Sequence, residues 1–158
     1  MTFLPERRPR VVIADDHPSV LVAFARMLQA CCDVVATVAT GQEAIDAVER
    51  LKPDILLVDL MLPDVDGLVV CRTLKVTAPD TDVVLVTAFD DAQVEATAMH
   101  EGASAFVPKH SAAAMLESTI QRVFAERHWP VIDVTRRSIE ETASSIYKLL
   151  MRRHGADA

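Results

Sequence analysis

Several things are missing from this sequence, and each absence narrows the possibilities. No apolar run approaches the roughly 20 residues a helix needs to span a bilayer, and the N-terminal MTFLPERRPR lacks the apolar core of a secretion signal. A cytoplasmic location is expected. Cations are in the minority, 16 Lys and Arg against 23 Asp and Glu for a net charge of −7, which argues against a broad electrostatic footprint for nucleic acid or an anionic membrane. The Arg7, Arg8, Arg10 cluster is local and reads as a solvated tail. There are only three cysteines, Cys31, Cys32 and Cys71, an odd number without metal-ligand spacing. They read as reduced, structural thiols. No G-x-G-x-x-G phosphate loop occurs, which argues against dinucleotide binding, and there is no internal repeat or low-complexity stretch.

What remains is a chain of 158 residues, 51% hydrophobic and 25% charged, suited to one packed domain with an appendage. Short β-branched apolar runs at 11–14, 34–38, 55–58, 83–86 and 105–107 predict strands. Helical spacing predicts helices at 19–30, 42–51, 68–77, 92–101 and 112–127, so the two element types alternate five times. Unbroken apolar runs imply strands covered on both faces, the mark of a parallel α/β sheet. Turn residues agree: Pro53-Asp54, Pro63, Gly67, Pro79-Asp80 and Gly102 all fall between elements. Right-handed crossovers then bring the carboxyl ends of the strands to one edge, where open α/β sheets place their sites.

That edge collects charge. Asp15 and Asp16 follow the first strand, Asp59 ends the third, Thr87 ends the fourth and Lys109 follows the fifth. The second strand ends near Thr37 and Thr40. Taken singly these residues are ordinary, since Asp15 or Asp16 could cap the helix beginning near Pro18 and Asp59 could open a turn. Together, three converging carboxylates repel one another by about 4 kcal/mol per pair at 4 Å and an effective dielectric near 20. A cation must offset that. Oxygen donors suit Mg²⁺, while Lys109 and the Thr87 hydroxyl could hold phosphoryl oxygens.

With Phe106 three residues before the lysine, this set resembles the receiver domain of bacterial two-component response regulators over residues 10–127. DDHPSVLVAFARML is further similar to receivers that carry LuxR-type helix-turn-helix outputs. The resemblance implies a flavodoxin-like (βα)5 fold with strand order 2-1-3-4-5. It implies Asp59 as phosphoacceptor from a sensor histidine kinase, with Asp15, Asp16, Asp59 and the Met61 carbonyl around Mg²⁺. Lys109 and Thr87 would contact the phosphoryl group, and Thr87 and Phe106 would form the switch beneath the surface of the fourth helix, fifth strand and fifth helix. Enzymatic chemistry would be limited to phosphorylation and dephosphorylation of Asp59 itself. The family often places proline after the lysine, whereas here His110 follows and Pro108 precedes.

Residues 128–158 read as a C-terminal extension with an amphipathic helix near 138–153. Ser138 to Glu141 form a capping box, and Ile139, Ala143, Ile146, Leu149 and Leu150 form the stripe. The expected length after the receiver is too short for a helix-turn-helix domain, so DNA binding by this chain is not expected. That helix is expected either to dock on its own receiver or to pair in a homodimer, the fourth-helix, fifth-strand and fifth-helix face being a further candidate dimer surface, with a missing output domain or a phosphorelay role as alternatives. His17, His100, His128 and His154 read as surface residues or loop anchors. A phosphatase on a similar sheet is disfavoured, because Asp59-Leu60-Met61 lacks a second aspartate as general acid.

Overall fold

The structure, a computed structural model, describes residues 7–89 and 91–128. Contacts group Glu6–Phe124 into one compact unit, which carries everything that follows; of the second unit, Met1–Pro5 with Ala125–Ala158, only residues 125–128 are described. The helix expected near 138–153 lies outside the described residues.

Five strands and five helices alternate. They are β1 (Arg10–Ala14), α1 (Pro18–Leu28), β2 (Asp33–Val38), α2 (Gly41–Leu51), β3 (Ile55–Asp59), α3 (Gly67–Thr77), β4 (Asp82–Thr87), α4 (Ala92–His100), β5 (Ala105–Pro108) and α5 (Ala112–His128). A single 3₁₀ turn, Lys109–Ser111, links β5 to α5. All strand pairings are parallel, in the order β2-β1-β3-β4-β5. The expected doubly wound fold is therefore the one observed.

Two apolar clusters clothe the sheet. Val11, Ile13, Ile55, Leu57, Val84 and Val86 point toward α1 and α5, meeting Phe24, Leu28, Leu116, Ile120 and Phe124. The alternate residues Val12, Leu56, Val58, Val83 and Leu85 meet Ala44, Val48, Val70, Leu74 and Ala98 of α2, α3 and α4. Each of the Val, Leu, Ile and Phe side chains, fully buried, stabilises the fold by about 1.5–3 kcal/mol. Alternation along each strand thus divides one continuous apolar run between two cores, the reason these strands look uniformly hydrophobic.

Helix boundaries follow local chemistry. Thr40 caps α2 by accepting from the Glu43 N–H at 3.1 Å, and its hydroxyl donates to the Glu43 carboxylate at 3.2 Å. Asp66 caps α3 by accepting from the Val69 N–H at 3.0 Å. Gly67 has no room for a side chain, because a Cβ there would lie 2.7 Å from the Asp59 carbonyl oxygen. Gly102, at φ +107°, makes the left-handed turn into β5.

One alternative reading is set aside and one expectation is corrected. α1 begins at Pro18 with His17 as its N-cap and no side-chain cap, so neither Asp15 nor Asp16 closes that helix. Proline at the first position already removes one orphan N–H, and Asp15 is engaged elsewhere. Apolar β2 was expected to be covered on both faces, yet it is only half-buried, because it is an outer strand of the sheet.

Candidate functional site

The carboxyl ends of β1, β3 and β4 bring Asp15, Asp59 and Thr87 to one edge, and the turn after β5 adds Lys109. Asp15, Asp59 and Thr87 are 1%, 4% and 0% exposed, so two carboxyl groups are held nearly dry. The Lys109 Nζ lies 2.9 Å from Asp59 Oδ2 and 2.8 Å from Asp15 Oδ2, bridging them. Only the Asp59 contact has hydrogen-bond geometry; Asp15 Oδ2 is buried with no hydrogen bond among the described residues. The second contact is therefore ionic and leaves a lone pair of Asp15 available.

The other carboxylate oxygens are fixed by backbone. Met61 donates its N–H to Asp59 Oδ1 at 3.2 Å, and His17 donates its N–H to Asp15 Oδ1 at 2.8 Å. The Thr87 hydroxyl accepts from the Phe89 N–H at 3.1 Å. Phe106 is half-buried against the α2, α3 and α4 side of the sheet, one strand away from Thr87. Asp16 is more exposed than either buried aspartate and stands at the rim.

Electrostatics split the two buried carboxyls. Burial raises the Asp59 proton affinity, the Asp15 charge adds to it, and Lys109 and the Met61 N–H only partly counter, so its pKa lies above the usual value. Burial opposes ionisation of Asp15 too, but Lys109 and the backbone and ring of His17 prevail and hold it below that value. Lys109 loses solvation, yet its two carboxylate neighbours raise its pKa. Asp59 is thus the more basic carboxylate of the pair.

His17 was not foreseen as part of this site. Its Nδ1 lies 3.0 Å from Asp15 Oδ1 and 3.1 Å from Asp16 Oδ1. The signal was available in Asp15-Asp16-His17, because a buried Asp that accepts from the backbone two residues on turns that residue back over itself. Asp15, Asp16, His17 and Asp59 each offer a ligand atom, all within 4.8 Å of one another. With the unbonded Asp15 oxygen, this oxygen-rich donor set fits a hard divalent cation such as Mg²⁺.

A buried carboxyl at the end of β3, a lysine bridging it to Asp15, and a buried threonine hydroxyl on β4 define a receiver-type site on a parallel α/β sheet. The response regulator receiver domain family model matches residues 11–121, and the chain belongs to that family. It is 32% identical over 139 residues to the oxygen regulatory protein NreC of Staphylococcus aureus, covering 86% of this chain and 64% of that protein. The chain therefore spans a little under two thirds of the length of the curated relatives it matches.

Solved structures agree. The signal receiver domain of the response regulator NarL from Mycobacterium tuberculosis superposes with a TM-score of 0.72 at 27% identity, over 75% of this chain and 97% of that one. A LuxR-family two-component response regulator from Aurantimonas gives 0.73 at 27%, over 87% and 99%. The resemblance to receivers of the LuxR-type subfamily, carried by DDHP and the strand-end residues, is thereby upheld.

Proposed function

We propose that this chain is a phosphorylation-controlled receiver, with residues 10–127 as the receiver and 128–158 as a C-terminal extension, acting in the cytoplasm. Asp59 accepts a phosphoryl group from the phosphohistidine of a sensor histidine kinase. The observation that carries the reading is the Asp59 carboxyl itself, 4% exposed and held by Lys109 at 2.9 Å and the Met61 N–H at 3.2 Å.

Asp15, Asp16, Asp59 and the Met61 carbonyl would hold Mg²⁺, which supplies charge neutralisation for the transferring group. The chain's own residues do the rest. The Met61 N–H and Lys109 fix the plane of the Asp59 carboxylate, so one oxygen presents a lone pair to phosphorus. As the new O–P bond forms, the N–P bond breaks and the histidine departs as neutral imidazole. Lys109 then moves its hydrogen bond from the carboxylate to a phosphoryl oxygen. The Thr87 hydroxyl, now an acceptor from Phe89, donates to another phosphoryl oxygen, and its movement opens space for Phe106. α4 is suited to respond, since Ala98 is its one fully buried residue among those described.

The signal would leave through protein contacts, by homodimerisation on the α4, β5 and α5 face or through the C-terminal extension. A second reading, favoured by the LuxR-family relatives, is that the chain is the receiver part of a DNA-binding regulator. Intact mass after treatment with Mg²⁺ and acetyl phosphate tests the chemistry. The wild type gains one phosphoryl group and Asp59→Asn gains none; equal labelling of both would overturn the assignment. Light scattering of the same samples with and without beryllofluoride reads the change in assembly.

A further inference from the structure

The turn after α1 carries adjacent cysteines that the receiver chemistry does not use. The thiols of Cys31 and Cys32 lie 3.3 Å apart. Cys31 Sγ also approaches the Leu28 carbonyl at 3.7 Å, which makes Cys31 the donor there and Cys32 the donor to Cys31. Cys31 is half-buried and Cys32 is 2% exposed, at the floor of an open groove of about 580 Å³ also lined by Val22, Ala25, Gln29 and two arginines, Arg8 and Arg26. Cys71 belongs to the cluster on the opposite face of the sheet and cannot join them.

We infer that Cys31 and Cys32 form a bidentate binding site for a thiophilic trivalent arsenical. Their geometry selects this class over the alternatives. Across a trans peptide the two Cα atoms stand about 3.8 Å apart, below the roughly 4.4 Å minimum of ordinary disulfides. No cis peptide occurs among the described residues, so direct S–S bonding would strain the turn. A single bridging atom avoids that strain. With bonds of about 2.3 Å, typical of metal–thiolate contacts, sulfurs 3.3 Å apart subtend about 92°.

A tetrahedral zinc ion would spread them to about 3.8 Å and requires further ligands. Among the described residues, the one group of three or more potential metal ligands lies at the other site. A near-right angle is that of a three-coordinate centre with a lone pair, which is trivalent arsenic.

The exchange is balanced without a redox partner. An organoarsenic(III) dihydroxide loses two As–O bonds and gains two As–S bonds, and each thiol proton leaves as water while arsenic stays trivalent. Burial, with the neighbouring Cys31, raises the pKa of the Cys32 thiol, so Cys32 stays protonated and favours a ligand whose own hydroxyls remove the proton. Two linked sulfurs bind far more tightly than one, because the second bond forms at high effective concentration.

The folded, reduced chain is mixed with one equivalent of phenylarsine oxide and read by native intact mass. One adduct per chain is expected, stable to excess glutathione and removed by a dithiol. Cys31→Ser and Cys32→Ala should each weaken it at least 100-fold, while Cys71→Ala keeps it. Circular dichroism establishes that each variant is folded, and Cys31→Ser, half-buried, serves if Cys32→Ala is not. An adduct undiminished in Cys31→Ser, one seen only in denaturant, or a two-dalton mass loss from disulfide formation in place of the adduct would overturn the site.

Discussion

The two ends of this sheet use the same residue types to opposite effect. At the amino ends of the strands, charge is satisfied by close partners. Asp54 accepts from both Arg7 terminal nitrogens at 2.7 Å and from the Arg10 N–H at 2.8 Å. Asp82 accepts from the Ser104 hydroxyl at 2.7 Å, and the buried Thr81 hydroxyl donates to the Pro53 carbonyl at 2.8 Å. Arg7 also lies 5.2 Å above the Phe124 ring. At the carboxyl ends, one lysine serves two buried carboxylates, and Asp16 and His17 crowd beside them. One end is tied closed, while the other retains a surplus of negative charge that only a ligand can neutralise. Strand residues at the first end serve the fold; at the second they leave chemistry to be done.

Breaking the bridge at the surplus end should cost most. Lys109→Met leaves two buried carboxylates without their shared cation, and urea unfolding without divalent ions should show a loss of about 3–5 kcal/mol. Millimolar Mg²⁺ should restore part of it by binding the folded state alone. A loss no larger than at the amino end would erase the distinction. At that other end, Asp54→Ala orphans the Arg10 N–H and should cost about 1–3 kcal/mol, indifferent to Mg²⁺.

Asp59→Asn should act in the opposite direction. Removing a carboxylate whose ionisation is disfavoured leaves Lys109 to Asp15 alone, and the metal-free melting temperature should rise by about 4 °C, on the order of 1 kcal/mol. A fall would mean that Lys109 depends on both partners. The smallest effect is the alkaline one. Because the folded Lys109 pKa is raised, its stabilising contribution is complete below the ordinary 10.5 and is lost as pH climbs through the higher folded value. Stability profiles above pH 10 should decline less steeply in Lys109→Met than in the wild type.

Much of this was legible from sequence because β-branched runs, turn residues and strand-end charges reinforce one another. Five strands and five helices fall within a few residues of their expected places. Asp15, Asp59, Thr87 and Lys109 do converge, because a parallel sheet brings every strand end to one edge. Side-chain direction was not legible. Adjacent aspartates look alike in sequence, yet Asp15 turns inward to Lys109 while Asp16 stays at the rim, and His17 follows Asp15 back into the pocket. The half-burial of β2 was equally hidden, since apolar content does not reveal whether a strand ends up at the centre or margin of a sheet.

β5 occupies the other margin, and its last residue is Pro108. Proline has no amide hydrogen, and β5 has only four residues, so at most three amides remain along it and some of these already face β4. A strand this short and interrupted cannot act as a template for a further strand. The sheet therefore stops growing where it is nearest to Lys109, and the domain is protected there from fusing edge to edge with a neighbouring protein.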